Sequence, residues 1–199
     1  TLKKDSLLIL DSRVYLNTSV NNLKFNNTNI FGVFLFSKIN SKLHVTTTYD
    51  YLNGNHTDLV NNTYDSLSVY NKFANQKDRF IINVNYKLND FFHFELGQDK
   101  HSIGLGHRSL FLSKESIHYP FLKFVTTIGN IKYTNLYTTF INPLQNNLGR
   151  KKHSATHYLN FPISSSFNIG IFESVLWQSK TQYENIGYEI SYLNPIIFY

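Results

Sequence analysis

The stretch Arg79-Phe80-Ile81-Ile82-Asn83-Val84-Asn85-Tyr86-Lys87-Leu88 decides the fold class. Phe80, Ile82, Val84, Tyr86 and Leu88 hold the even positions, while Arg79, Asn83, Asn85 and Lys87 hold odd ones. In an extended chain successive side chains point to opposite sides, so this pattern predicts a strand with one apolar and one polar face. The same period of two sets Leu43, Val45, Thr47, Tyr49 and Tyr51 against Lys42, His44, Thr46, Thr48 and Asp50. It also sets Phe92, Phe94 and Leu96 against His93 and Glu95.

Further strands are predicted at Leu8 to Val20, Ile30 to Phe36, Phe121 to Ile128, Ile131 to Ile141, His153 to Phe161, Phe167 to Trp177 and Ile186 to Leu193. Several run to about 9 to 11 residues, the length a tilted strand needs to cross a bilayer, whereas ordinary strands peak nearer 5 or 6. Gly129-Asn130 predicts a tight hairpin, residues 87–90 and 162–166 read as short connections, and the Asn-rich stretch 53–78 reads as a long loop. Nothing in the pattern predicts a helix or divides the chain into two domains. Short turns and occasional long loops on about ten antiparallel strands describe an up-and-down β-barrel of the kind that can span a membrane. A water-soluble β-sandwich alternates in the same way, so the pattern alone leaves both solvents open.

Composition narrows the partners. Charged residues make up 16% of the chain, below the roughly 25% of ordinary soluble domains, while Phe and Tyr number 17 and 14. The net charge is +6, yet Lys and Arg are scattered singly, which argues against a nucleic-acid footprint. There are no cysteines, hence no disulfide framework and no thiolate metal site. No apolar run reaches the roughly 18 residues of a helical membrane span, a test that a spanning barrel escapes.

The alternation breaks at Glu95-Leu96-Gly97-Gln98-Asp99-Lys100-His101-Ser102-Ile103-Gly104-Leu105-Gly106-His107-Arg108-Ser109. A dinucleotide fingerprint needs a third glycine and a following helix, and a phosphate loop needs a Gly-Lys-Ser/Thr end; both readings fail here. Gly104 and Gly106 instead suit an inward bend, beside a charged set of Glu95, Asp99, Lys100 and Arg108 that is expected to pair inside a barrel lumen. His153 and His157 share a strand face but lie roughly 13 Å apart at about 3.3 Å per residue, too far for one metal ion. Trp177 and Tyr119 are candidates for stacking on a sugar ring, against the commoner roles of interfacial anchor and strand start. A membrane-embedded hydrolase using Ser109 and His107 is a rival without a supporting motif such as G-x-S-x-G.

Several ordered motifs resemble a known family. They are Phe94-Glu95-Leu96-Gly97-Gln98-Asp99-Lys100, Ile103-Gly104-x-Gly106-x-Arg108-Ser109-Leu110, Tyr119-Pro120-Phe121-Leu122-Lys123 and Ile131-Lys132-Tyr133-Thr134-Asn135-Leu136. His157-Tyr158-Leu159, Asn168-Ile169-Gly170-Ile171-Phe172-Glu173-Ser174-Val175 and Tyr192-Leu193-Asn194-Pro195-Ile196-Ile197-Phe198-Tyr199 continue the series. Together they resemble the capsule-assembly Wzi family of Bacteroidetes outer-membrane proteins, which includes gliding-motility proteins of the RemB type. The resemblance covers most of residues 91–199 and implies an outer-membrane barrel without enzymatic activity or cofactor. It further implies contact with membrane lipid, with surface polysaccharide and with other outer-membrane proteins, and a chain that is part of a longer barrel.

Overall fold

The computed structural model describes residues 6–21, 24–54, 76–103, 112, 118–141, 151–179, 187 and 190–193. Among them are nine strands: β1 (Leu7–Asn21), β2 (Lys24–Lys38), β3 (Leu43–Gly54), β4 (Gln76–Lys87), β5 (Phe92–Asp99), β6 (Tyr119–Ile128), β7 (Ile131–Ile141), β8 (Lys151–Pro162) and β9 (Asn168–Gln178). Each lies beside its sequence neighbours in one up-and-down sheet of order β1 to β9, and the fold is all-β. The Arg79 to Leu88 stretch forms the greater part of β4, as its alternation predicts. One expected strand is corrected: within Ile186 to Leu193 the chain makes a 3₁₀ turn at Ile190–Leu193. The long loop expected over residues 53–78 is shorter, because β3 runs to Gly54 and β4 starts at Gln76; what remains lies outside the described residues.

Polar turns set the register. At Gly129 a φ of +59° admits the left-handed backbone of a two-residue turn, and Ile128 pairs directly with Ile131 across it. Three other connections share one chemistry. The N–H groups of Ile39, Leu88 and Ile163 donate to the carbonyls of Leu43, Phe92 and Phe167 at 3.0, 3.0 and 2.9 Å. Asn40 Oδ1 accepts from the N–H groups of Lys42 and Leu43, both at 2.8 Å. Asn89 Oδ1 does the same for Phe91 and Phe92, and Ser164 Oγ accepts from Ser166. Short polar side chains that bond the backbone two or three residues on account for part of the heavy use of Asn.

The chain divides into two compact units, Thr1–Asn83 and Val84–Tyr199. In the first, the registers of β1 with β2 and β2 with β3 place Leu8, Leu10, Val14, Leu16, Phe31, Val33, Leu35, Val45, Tyr49 and Tyr51 on one face. Asp11, Arg13, Gly32, Asp50, Lys38, His44, Thr46 and Thr48 share the other with Leu7, Ile9, Phe34 and Phe36. Arg13, Gly32 and Asp50 form one cross-strand row. Gly32 is required there by space: a Cβ would run into the Asp50 carboxylate.

In the second unit both faces of the central strands are covered. Tyr119, Phe121 and Leu136 are buried together, with Leu112 and Phe140 packed against them. Leu112 belongs to the connection between β5 and β6 and is held by an antiparallel bridge to Ile103, whose N–H donates to the Leu112 carbonyl at 3.1 Å. Next to this core, cross-strand hydroxyl pairs satisfy buried polar side chains: Thr138 with Ser154 at 2.6 Å and Thr156 with Ser174 at 2.9 Å. On β9, Gly170 leaves room for the Tyr158 ring, which lies where a Cβ would stand.

The Gly32 contact generates a prediction. Gly32→Ala is expected to cost about 1–3 kcal/mol, the range for forcing an extra methyl group into filled space, seen as a lower denaturant midpoint in detergent micelles. Combined with Asp50→Ala it should cost clearly less than the sum of the two single losses; strict additivity would remove the steric explanation.

Candidate functional site

Two side-chain groups in the second unit lie on opposite faces of the sheet. The first contains charged residues singled out from the sequence. Glu95 and Asp99, four positions apart on β5, share a face. Register places Lys123 directly opposite Glu95 and Tyr119 opposite Asp99. Lys123 Nζ donates to Glu95 Oε2 at 2.9 Å, with both side chains largely buried. Glu95 thus pairs with Lys123, a residue outside the charged set singled out from the sequence. His93 Nε2 stands 3.7 Å from the other Glu95 oxygen, beyond hydrogen-bond reach. Asp99 Oδ1 accepts from the Lys100 N–H at 2.8 Å and lies 4.0 Å from His118 Nε2. Arg108, Gly104 and Gly106 lie outside the described residues, as do Ser109 and His107.

Tyr119 is the most enclosed of the sequence-chosen residues, 1% exposed. Its hydroxyl accepts the His101 N–H at 3.0 Å, and its ring meets Phe140 edge-on with centroids 4.9 Å apart. That places it in the core at the start of β6, with its ring already in contact on several sides. His101 lies beyond the end of β5, edge-on to Phe121 at 4.3 Å and stacked near Tyr119 at 5.8 Å. Burial, reinforced by the nearby Lys123 charge and opposed by Glu95 and Asp99, lowers its pKa from 6.5 to about 4. Its Nδ1 is buried with no hydrogen-bond partner among the described residues.

The second group is on the opposite face, which carries Phe92, Phe94, Leu96, Leu122 and Phe124. Across β6 to β9, register aligns Phe124, Asn135, His157 and Glu173 in one row. Asn135 and His157 are buried, and His157 Nδ1 lies 2.6 Å from Asn135 Oδ1 and 3.2 Å from the Tyr133 hydroxyl. With its proton on Nδ1, His157 donates to the Asn135 oxygen. One turn of the pleat away, His153 Nδ1 is 3.0 Å from Thr139 Oγ1, and the His153 ring lies 5.7 Å from Trp177. His153 and His157 thus share a face of β8 but have separate partners. Trp177 also meets Tyr192 at 4.8 Å and donates its indole N–H to the Gly187 carbonyl at 3.3 Å. It therefore sits inside an aromatic stack.

Between these rows and β5 the sheet carries a partly open recess of about 380 Å³, lined by Phe92, Phe94, Leu122, Phe124, Asn135 and Tyr137 among others. The Phe94 and Phe124 rings meet edge-on at 5.0 Å. Sequence reading paired neither Lys123 with Glu95 nor Asn135 with His157. The signal was register: the Gly129-Asn130 turn already implies that Phe124 faces Asn135 and Lys123 faces Leu136. Searches against protein-family models, curated proteins and solved structures found no match to this chain.

His101 generates a pH prediction. Its folded-state pKa lies below the unfolded value, so the neutral ring stabilises the fold above about 6.5 and that stabilisation is lost as the pH falls towards 4. Denaturant midpoints should drop across this window, and His101→Phe should flatten that part of the profile. An unchanged profile in the variant would assign the acid sensitivity to other groups.

Proposed function

We propose that this chain forms part of the wall of a bacterial outer-membrane β-barrel whose role is non-enzymatic: holding or organising surface polysaccharide, as its resemblance to the Wzi family implies. The membrane half rests on one observation, the inverted amphipathicity of β2 and β3. β1 is exposed on both faces, Leu8, Leu10, Val14 and Leu16 on one and Leu7 and Ile9 on the other, whereas on β2 and β3 the face that carries exposed Phe31, Val33 and Tyr49 lies opposite buried Gly32 and Asp50, the latter 5% exposed. A sheet working in water buries such a face, since removing apolar surface from water stabilises by about 25 cal/mol per Å². A hydrocarbon surround removes that incentive, and strands of 12 to 15 residues are long enough to cross it at a tilt.

Supporting the polysaccharide half are the ordered motifs shared with the family and an aromatic set of Trp177, Tyr192 and His153 suited to stacking on sugar rings. Glycan recognition also needs hydroxyl and amide groups, which line the polar faces in number. Membrane lipid and other outer-membrane proteins are the remaining partners on this reading.

Val14→Arg distinguishes the solvents, because Val14 is central in β1 and already exposed. In a lipid-facing position the arginine should cost about 2–4 kcal/mol, while on a water-facing strand the change should stay within about 0.5 kcal/mol. The wild-type protein should fractionate with the outer membrane and shift its gel mobility on heating in detergent. Deleting it from the host should release surface polysaccharide into the medium. Polysaccharide that stays cell-bound would overturn the proposed role even if the barrel assignment held.

A further inference from the structure

We infer that the end of the second unit where β8 starts and β9 finishes binds an acidic polysaccharide, whose sugar carboxylates meet Lys151 and Lys152 while a ring lies against the Trp177–Tyr192 pair. The inference rests on the polysaccharide role proposed above and names the chemical class that role would take.

The topology of this unit sorts its connections by length. The short turns, residues 88–91, 129–130 and 163–167, leave one end of the strands, and the connections over residues 100–118 and 142–150 leave the other. Outer-membrane barrels keep short turns on the periplasmic side and longer loops outside. On the membrane reading, the start of β8 and the finish of β9 therefore face the cell surface.

Three observations give that end its chemistry. The first is charge. Arg150, Lys151 and Lys152 are consecutive, residues 142–149 before them include no acid, and Glu173 is the only carboxylate on β8 or β9. Glu173 lies four positions from Trp177, about 13 Å along the strand at 3.3 Å per residue. Lys151 is exposed and Lys152 half-buried, and neither ammonium makes an ion pair among the described residues. Lys87 and Lys123, by contrast, are held by Asp90 and Glu95 at 2.7 and 2.9 Å.

The second is placement. Register sets Lys151 opposite Ile141, Lys152 opposite Gln178 and His153 opposite Trp177. Lys151 therefore shares the Trp177 face and Lys152 takes the other, so a polymer crossing the end of the sheet meets a cation on each side. The third is the way Ser179 holds the aromatic pair beside Lys151. Its N–H and its hydroxyl both donate to the Lys151 carbonyl, at 3.1 and 3.2 Å, and its own carbonyl accepts the Gly187 N–H at 3.0 Å. The Gly187 carbonyl in turn accepts the Trp177 indole N–H. Tyr192, 39% exposed, is the more open ring of the pair.

A neutral glycan would use the rings and leave the lysines idle, whereas a glycan with carboxylates engages both. Each exposed ion pair contributes little by itself, but a polymer repeats its carboxylate and the contacts add along the chain. Anionic lipid offers the charge without a sugar ring for Tyr192.

The test uses the full chain in detergent micelles. Trp177 is its only tryptophan, so emission reads the site directly, with co-sedimentation as a second readout. The probes are polygalacturonate, alginate, hyaluronate, fully methyl-esterified polygalacturonate, dextran and phosphatidylglycerol vesicles. At least one uronate polymer should bind, about ten-fold or more tighter than the esterified polymer or dextran, and should weaken steeply as salt rises. Lys151→Gln combined with Lys152→Gln should weaken it about five- to ten-fold with heat-modifiable mobility unchanged, and the corresponding double change to Arg should restore binding. Tyr192→Ser should weaken binding without altering its salt dependence, separating stacking from charge. Esterified polymer or dextran binding as tightly as the acid would overturn the acidic class, and so would silence towards all three uronate polymers. In either case, release of polysaccharide on deletion of the protein would leave the broader role standing. Equal, lysine-dependent binding of the vesicles would assign the cations to lipid and overturn the sugar assignment.

Discussion

Cross-strand register is the constraint on which the rest of this structure depends. Each strand pairs with its sequence neighbours in the sheet, and a shift of one residue would exchange the two faces completely. The register is set at short polar turns, where Asn40, Asn89 and Ser164 bond the backbone just ahead of them and Gly129 takes the left-handed conformation. From those points alternation carries the choice along strands as long as 15 residues. Arg13, Gly32 and Asp50 meet because of it, and so do Glu95 and Lys123, or Asn135, His157 and Glu173.

The same constraint explains why polar groups can occupy an apolar face. Asn135 and His157 stand between aromatic rows, where each alone would be an uncompensated polar group. Register sets them side by side, so most of their hydrogen-bonding demand is met within the row. On the opposite face the Glu95–Lys123 pair and the neutral His101 show the other solution, in which a charge is matched directly across two strands or a titratable ring is kept uncharged by burial.

Much of the fold was legible because a period of two is a strong local signal: β4, β7 and β9 match their expected spans closely, and the Gly129-Asn130 turn was read directly. The failures have physical causes. Residues 186–193 contain apolar and aromatic side chains in a loosely alternating order, but the chain there turns through Ile190–Leu193, and Tyr192 packs on Trp177 instead of extending a strand. Tyr119 looks like an aromatic strand start and is one, but its burial comes from Phe140 on the next strand and Leu112 in the connection before it, contacts that alternation does not show. Pairings such as Glu95 with Lys123 were not legible from composition or local order, since they depend on the register of β5 against β6 across a long connection. The charged set around the glycines was chosen for proximity in sequence, and Arg108 lies outside the described residues; the Glu95 partner that is described, Lys123, is 28 positions away.

The most direct test of the inverted sheet is a spin-label scan along β3, made simple by a chain without cysteine. Single cysteines at Val45, Thr46, Thr47, Thr48 and Tyr49 would be labelled in native outer-membrane vesicles, and their collisions with molecular oxygen and with a water-soluble nickel chelate measured. Oxygen concentrates in hydrocarbon and the chelate in water. The inverted sheet predicts strict alternation, with positions 45, 47 and 49 relaxed by oxygen and positions 46 and 48 by the chelate. Chelate access at 45, 47 and 49 would put the apolar face in water and contradict a membrane-spanning wall.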